Sequence, residues 1–110
     1  MLDEFTKKRL ENILQAYIEK KIPKHLNNQI RMVYKFRGNN VTLIEEREPY
    51  MGTEWTQYDI AQFRLESNVW KVYWRDSRDK WHWVDYIDPD SNFEKQLQLV
   101  DQDNTGVFWG

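Results

Sequence analysis

His25 and His82 are the only histidines in the 110-residue chain, and there is no cysteine. A zinc site needs three or four convergent nitrogen or sulfur ligands. Two histidines far apart in sequence, with no thiolate and no helical His pair, give no basis for one. The absence of Cys also removes disulfides and thiol catalysis. Asp101-Gln102-Asp103-Asn104-Thr105-Gly106 has the alternating oxygen ligands and sixth-position glycine that open a calcium-binding loop. The sequence stops short of the bidentate glutamate at position twelve, so the expectation is a polar helix end closed by Gly106. Ser67, Ser77 and Ser91 fall in turn or cap positions, where serine makes local hydrogen bonds, and none sits in a glycine-flanked nucleophile elbow. His82 and Asp85 lie three residues apart in a strand pattern, so they point to opposite faces. Four glycines do not make a phosphate loop. No cofactor is expected.

One constellation does suggest chemistry. Arg64, Lys71 and Arg75 recur at spacings that place them on one face of a β-hairpin, with Tyr73 among them. Like charges opposite one another destabilise a sheet by up to ~1 kcal/mol. With Tyr73, His82, Gln62 and Tyr86 alongside, these cations form a surface suited to an anion or to stacked bases. The alternative is that Glu46, Glu48 or Glu66 neutralises them in a solvated network worth little.

The elements that must position these residues can be read from the pattern. Asp3 to Lys21 is an amphipathic helix: Leu10, Ile13, Leu14, Tyr17 and Ile18 make one stripe. Asp3 and Glu4 lie at its positive end, Lys20 and Lys21 at its negative end, and Pro23 stops it. Gln29–Arg37 and Val41–Glu48 alternate around Gly38-Asn39, a two-residue hairpin signal. That turn sets Phe36 opposite Val41, Tyr34 opposite Leu43, Val33 opposite Ile44 and Arg31 opposite Glu46. A second hairpin, Tyr58–Glu66 and Val69–Asp76, turns at Ser67-Asn68. It pairs Leu65 with Trp70, Phe63 with Val72 and Ala61 with Trp74 on an apolar face, and Gln62 with Tyr73, Arg64 with Lys71 and Ile60 with Arg75 on the other. An even-numbered turn at Ser77-Arg78-Asp79-Lys80 puts Trp81 and Trp83 of a last strand, Trp81–Tyr86, on the apolar face and His82 on the polar one. Asp88-Pro89, or Ser91 with Glu94, opens a C-terminal helix whose apolar side is Phe93, Leu97 and Val100. Val107, Phe108 and Trp109 are too apolar for a solvated end and are expected to pack back. The fold class is therefore α+β, order α-β-β-β-β-β-α, an antiparallel meander with both helices on the tryptophan-rich face. Residues 1–110 form a single domain.

The longest irregular stretch, Pro49 to Gln57, carries Tyr50, Met51 and Trp55. These side chains either cap the core or form a binding loop. Net charge is −2 and pI about 5.7, which argues against a dedicated nucleic-acid binder. No apolar run approaches the ~20 residues that span a membrane. The acidic N-terminus lacks an apolar h-region, so no signal peptide is expected, and a cysteine-free chain fits a reducing cytoplasm.

Glu45-Glu46-Arg47-Glu48-Pro49, Ile60-Ala61-Gln62-Phe63-Arg64, Trp70-Lys71-Val72-Tyr73-Trp74, Lys80-Trp81-His82 and Gly106-Val107-Phe108-Trp109-Gly110 carry a resemblance across nearly the whole chain. It resembles a family of small bacterial proteins known as a domain of unknown function. That resemblance implies a complete, free-standing bacterial protein and no particular activity. The residues favour a non-enzymatic binding or interaction module using the polar sheet face or the 49–57 loop, with a homodimer left open. The alternative is a small enzyme for an anionic substrate, with Arg64 and Arg75 as clamps and His82 as acid/base.

Overall fold

The computed structural model describes residues 2–26, 28–49 and 51–109. Helix α1 (Glu4–Lys21) starts where Asp3 accepts the Thr6 N–H at 2.6 Å and ends at Ile22, one residue before Pro23. A short 3-10 turn (Lys24–Leu26) leads into five strands: β1 (Ile30–Arg37), β2 (Asn40–Arg47), β3 (Thr56–Glu66), β4 (Val69–Arg75) and β5 (Trp81–Trp83). They form one antiparallel sheet in the order β1-β2-β3-β4-β5. Helix α2 (Phe93–Gln102) follows. Among the described residues no helix is long and apolar enough to cross a membrane.

The two tight turns place the strands as their chemistry demands. Gly38 has φ 59°, and Ser67 and Asn68 have φ 51° and 65°, the left-handed values that a twist-matched two-residue hairpin needs. The β1–β2 register is the expected one throughout, from Ile30 opposite Arg47 to Arg37 opposite Asn40. The β3–β4 register agrees from Glu66–Val69 to Gln62–Tyr73. Beyond Gln62, the expected pairs Ala61–Trp74 and Ile60–Arg75 do not form. The reason is a bulge in β3: Leu43 pairs with Ala61, but the next residue, Ile44, pairs with Asp59. Ile60 is the extra residue, and such an insertion reverses the facing of everything beyond it. Ile60 thereby joins the core, and Asp59 comes to the opposite face.

The last strand departs further. Five residues, Asp76 to Lys80, link β4 to β5, and Arg75 pairs with Trp81, Trp74 with His82 and Tyr73 with Trp83. The odd count reverses the expected facing. Trp81 and Trp83 share the face of Arg75 and Tyr73, while His82 shares the face of Trp74. Val84 fits this phase, since it is fully buried in the core and its N–H reaches Val72 O at 2.8 Å. β5 is shorter than expected because Asp90 returns to the edge of β4, exchanging both backbone hydrogen bonds with Trp70 (2.8 and 3.2 Å). That bridge holds the chain extended past Asp88-Pro89, so α2 is capped neither there nor at Ser91. Asn92 caps it, accepting the Lys95 N–H at 3.2 Å.

Both helices cover the same face. Leu10 and Leu14 of α1 join Val41, Leu43, Phe63, Trp70 and Val72 of the sheet and Phe93, Leu97 and Val100 of α2 in one cluster. Phe93 sits at its centre, 4.9 Å from the ring of Phe63 and 5.1 Å from that of Trp70. Burying each such side chain contributes about 1.5–3 kcal/mol. Trp70, Phe63 and Val72 are buried as expected, whereas Trp74 is only half-buried at the cluster's margin. Gln96, fully buried, uses its amide group to donate to Trp70 O (2.8 Å) and Asp88 O (3.0 Å), tying α2 to the sheet edge.

Asp101 joins the helices. It accepts from the Tyr17 hydroxyl at 2.8 Å and from Lys21 Nζ at 2.9 Å. Burial and the adjacent carboxylate push the Tyr17 hydroxyl well above its ordinary pKa. Burial alone would raise Asp101, but the Lys21 and Tyr17 hydrogen bonds outweigh it and lower it. α2 ends at Asp103, in the left-handed region (φ 47°), three residues before the expected Gly106. The Asp103 carboxylate accepts the N–H groups of Phe108 (3.1 Å) and Trp109 (2.8 Å), and the Trp109 indole donates to Val100 O (3.1 Å). The 107–109 segment thus folds back onto the core, with Phe108 buried.

Candidate functional site

The sheet face turned away from the helices is set by three lateral rows. Thr42, Gln62, Tyr73 and Trp83 lie side by side on β2 to β5. Arg64 and Lys71 form the row on one side, Asp59, Arg75 and Trp81 the row on the other. Each cation leans over an aromatic ring. The Arg64 guanidinium is 3.9 Å from the centre of Tyr73, Lys71 Nζ is 5.3 Å from Trp83, and Arg75 is 5.9 Å from Trp81. Such contacts are worth about 0.5–1 kcal/mol where exposed. They offset the repulsion that the bare sequence implies for Arg64 opposite Lys71.

Carboxylates complete the balance for two of the three. Lys71 pairs with Glu66 at 3.1 Å. Arg75 is clasped by Asp59 and by Asp79 (3.1 Å). Arg64 has no carboxylate among the described residues. Its Nε donates to Gln62 Oε1 at 2.7 Å, and the Gln62 amide donates in turn to Thr42 Oγ1 at 2.9 Å. Trp83 is 46% exposed.

The long loop belongs to the same surface. Trp55 stacks on Arg31, whose guanidinium lies 3.7 Å from the ring centre and pairs with Glu46 at 3.5 Å. Glu46 also accepts from Gln57 at 2.7 Å. On the same face Ile44, opposite Asp59, is buried apart from the main core. Met51 is exposed and Tyr50 lies outside the described residues. Among the described loop candidates, Trp55 is held against the cationic face through Arg31.

A family model described as a domain of unknown function, DUF3024, matches residues 2–110. The chain belongs to this family. No curated protein and no solved structure matches it.

In this DUF3024 chain the sheet divides the five site residues expected from sequence. Arg64, Lys71, Tyr73 and Arg75 share the open face, and His82 lies on the other. His82 stacks on Trp74, with ring centres 4.8 Å apart and planes 27° from parallel, and its Nε2 hydrogen-bonds Asp76 Oδ2 at 2.6 Å. The other Asp76 oxygen accepts the N–H groups of Arg78 (2.8 Å) and Lys80 (3.0 Å), which shapes the five-residue turn. The His82 bond first, then these backbone donors, hold the Asp76 carboxyl down at about 2. A depressed carboxyl stabilises the fold above its unfolded pKa, near 4, and loses that contribution as pH falls through its folded value. Asp76→Asn should therefore lower the melting temperature at pH 5–7, and the two proteins should converge between about pH 4 and 2. Melting curves recorded across that range check this. A constant difference down to pH 2 would assign the role to something other than the Asp76 charge.

Sequence reasoning missed Trp81, Trp83, Asp59 and Asp79 as members of this surface. The usable signal was Asp76 itself, since an Asp opening a turn bonds the backbone two residues on. Among the described residues no three His, Asp or Glu side chains gather as metal ligands. The Asp101 and Asp103 carboxylates point to separate partners, as described above.

Proposed function

We propose that this chain is a small non-enzymatic binding module whose working surface is the open sheet face, extended by Trp55. One observation carries the reading: cations and aromatic rings interleave across a face that no helix covers. Binding is favoured over catalysis because the three residues an enzyme would have to converge on one substrate, Arg64, Arg75 and His82, stand on two sides of the sheet. Arg75 is further engaged by two carboxylates, which leaves it little capacity to clamp an anion.

A thermal-shift screen tests this. Nucleotides, oligonucleotides, acidic peptides and polyanions are added at low ionic strength to the parent and to an Arg64→Ala/Trp83→Ala double variant. A ligand that binds only the folded state raises its melting temperature by mass action. At least one class should stabilise the parent and not the double variant. The gain should shrink with salt, as the Debye length falls from ~10 Å at 0.1 M to ~3 Å at 1 M. A parent that no anion stabilises, or a double variant stabilised equally, overturns the proposal.

A further inference from the structure

Arg64 differs from its neighbours in how it is held. Its guanidinium is fixed on one edge by Gln62 and on one face by Tyr73. Gln62 cannot turn away, because its amide nitrogen is engaged by Thr42. The two terminal nitrogens of Arg64 have no partner among the described residues. A guanidinium fork of this kind matches the two oxygens of a carboxylate or phosphate. Prior ordering of the side chain lowers the entropy cost of using it.

The charges around the fork are mixed. Lys71, Arg75 and Arg31 each already have carboxylate partners. By register Lys35 and Arg37 lie on the same face, beside Thr42 and Asn40, exposed and without a carboxylate partner among the described residues, while Glu46, Asp59, Glu66 and Asp79 carry the opposing charge. Of these cations Arg64 is the one held by both a side-chain amide and a ring, and its fork has room for one anionic group. Beside the fork, Trp83 pairs with Tyr73 across one strand spacing, about 4.8 Å. Its ring, partly exposed with Lys71 Nζ 5.3 Å from its centre, is a stacking surface for a flat group once that flexible side chain moves aside.

We infer that the open face takes a flat-ringed ligand bearing a single phosphate or carboxylate, with the Arg64 fork on the anionic group and Trp83 against the ring. This rests on the reading of that face as a binding surface and narrows it to a ligand class.

Calorimetric titration at low ionic strength with four probes decides it: adenosine 5′-monophosphate, adenosine, inorganic phosphate and benzoate. The two probes that join a ring to an anion should bind the parent at least about tenfold more tightly than adenosine or phosphate. Arg64→Gln, which keeps a polar side chain without the charged fork, should weaken them by about tenfold or more. Arg64→Lys should restore less than half of that loss on a logarithmic scale, because a point charge lacks the fork. Trp83→Ala should weaken adenosine 5′-monophosphate more than phosphate. Equal affinity for adenosine and its monophosphate, an unchanged constant in Arg64→Gln, or no binding of any probe overturns the inference. If these probes fail while the wider screen stabilises the parent and not the double variant, the face remains a binding surface and this ligand class is wrong.

Discussion

Trp70→Ala is expected to lower the unfolding free energy by about 3–5 kcal/mol, a large part of a total of roughly 5–15. Trp70 is 2% exposed, packs edge-on against Phe93, and sits where β4 meets both α2 and the returning Asp90. Removing its ring leaves a cavity bounded by sheet and helix elements that cannot close without breaking backbone hydrogen bonds. The buried Gln96 amide, bonded to the Trp70 carbonyl, would be disturbed as well. Trp74→Ala should cost less than half as much, because that ring is half-buried and its outer neighbour is the exposed His82. Chemical denaturation of the two variants checks the pair. Equal losses would mean that the β4 core face is buried more evenly than the structure has it.

Removal of 107–110 should be nearly as damaging. Phe108 is 8% exposed and belongs to the core cluster, and Phe→Ala in such a place costs about 3–5 kcal/mol by itself. The truncation also strips the Asp103 carboxylate of two N–H donors and Val100 O of the Trp109 indole. The truncated chain should melt well below the parent and bind an apolar dye. Phe108→Ala alone should show most of the loss. A truncated chain that melts like the parent would instead leave the segment to a partner.

Much of the fold was legible because local chemistry dictated it. Gly38-Asn39 and Ser67-Asn68 are two-residue hairpin turns with Gly38, Ser67 and Asn68 in the left-handed region, and period-2 alternation then allowed one register for each hairpin. The α1 stripe and the charges at its two ends were equally plain. The candidate site was legible only in part. Arg64, Lys71, Tyr73 and Arg75 kept their shared face because the Ser67-Asn68 turn is close by. Two insertions of single residues undid the rest. The bulge at Ile60 carried Asp59 to Arg75, and nothing in an isolated Asp-Ile-Ala run announces a bulge that depends on packing against β2. The five-residue turn exchanged His82 for Trp81 and Trp83. Its length rests on Asp76 bonding two backbone N–H groups and on Asp79 at φ 64°, neither of which residue count alone reveals. The exchange changed the chemistry of the face from a histidine among cations to tryptophans among cations, which removes from it the acid/base that the enzymatic alternative needed.

The chain's six tryptophans report which face works. Trp81 and Trp83 lie on the open face and Trp55 against its Arg31, whereas Trp70, Trp74 and Trp109 pack on the helix side. A ¹H–¹⁵N spectrum of the indole groups, titrated with the anion that raises the melting temperature most, reads both sides at once. The expected result is movement of the Trp81 and Trp83 signals with Trp70, Trp74 and Trp109 unmoved. Movement of Trp74 and Trp109 with Trp83 fixed would place binding on the helix side and contradict the account.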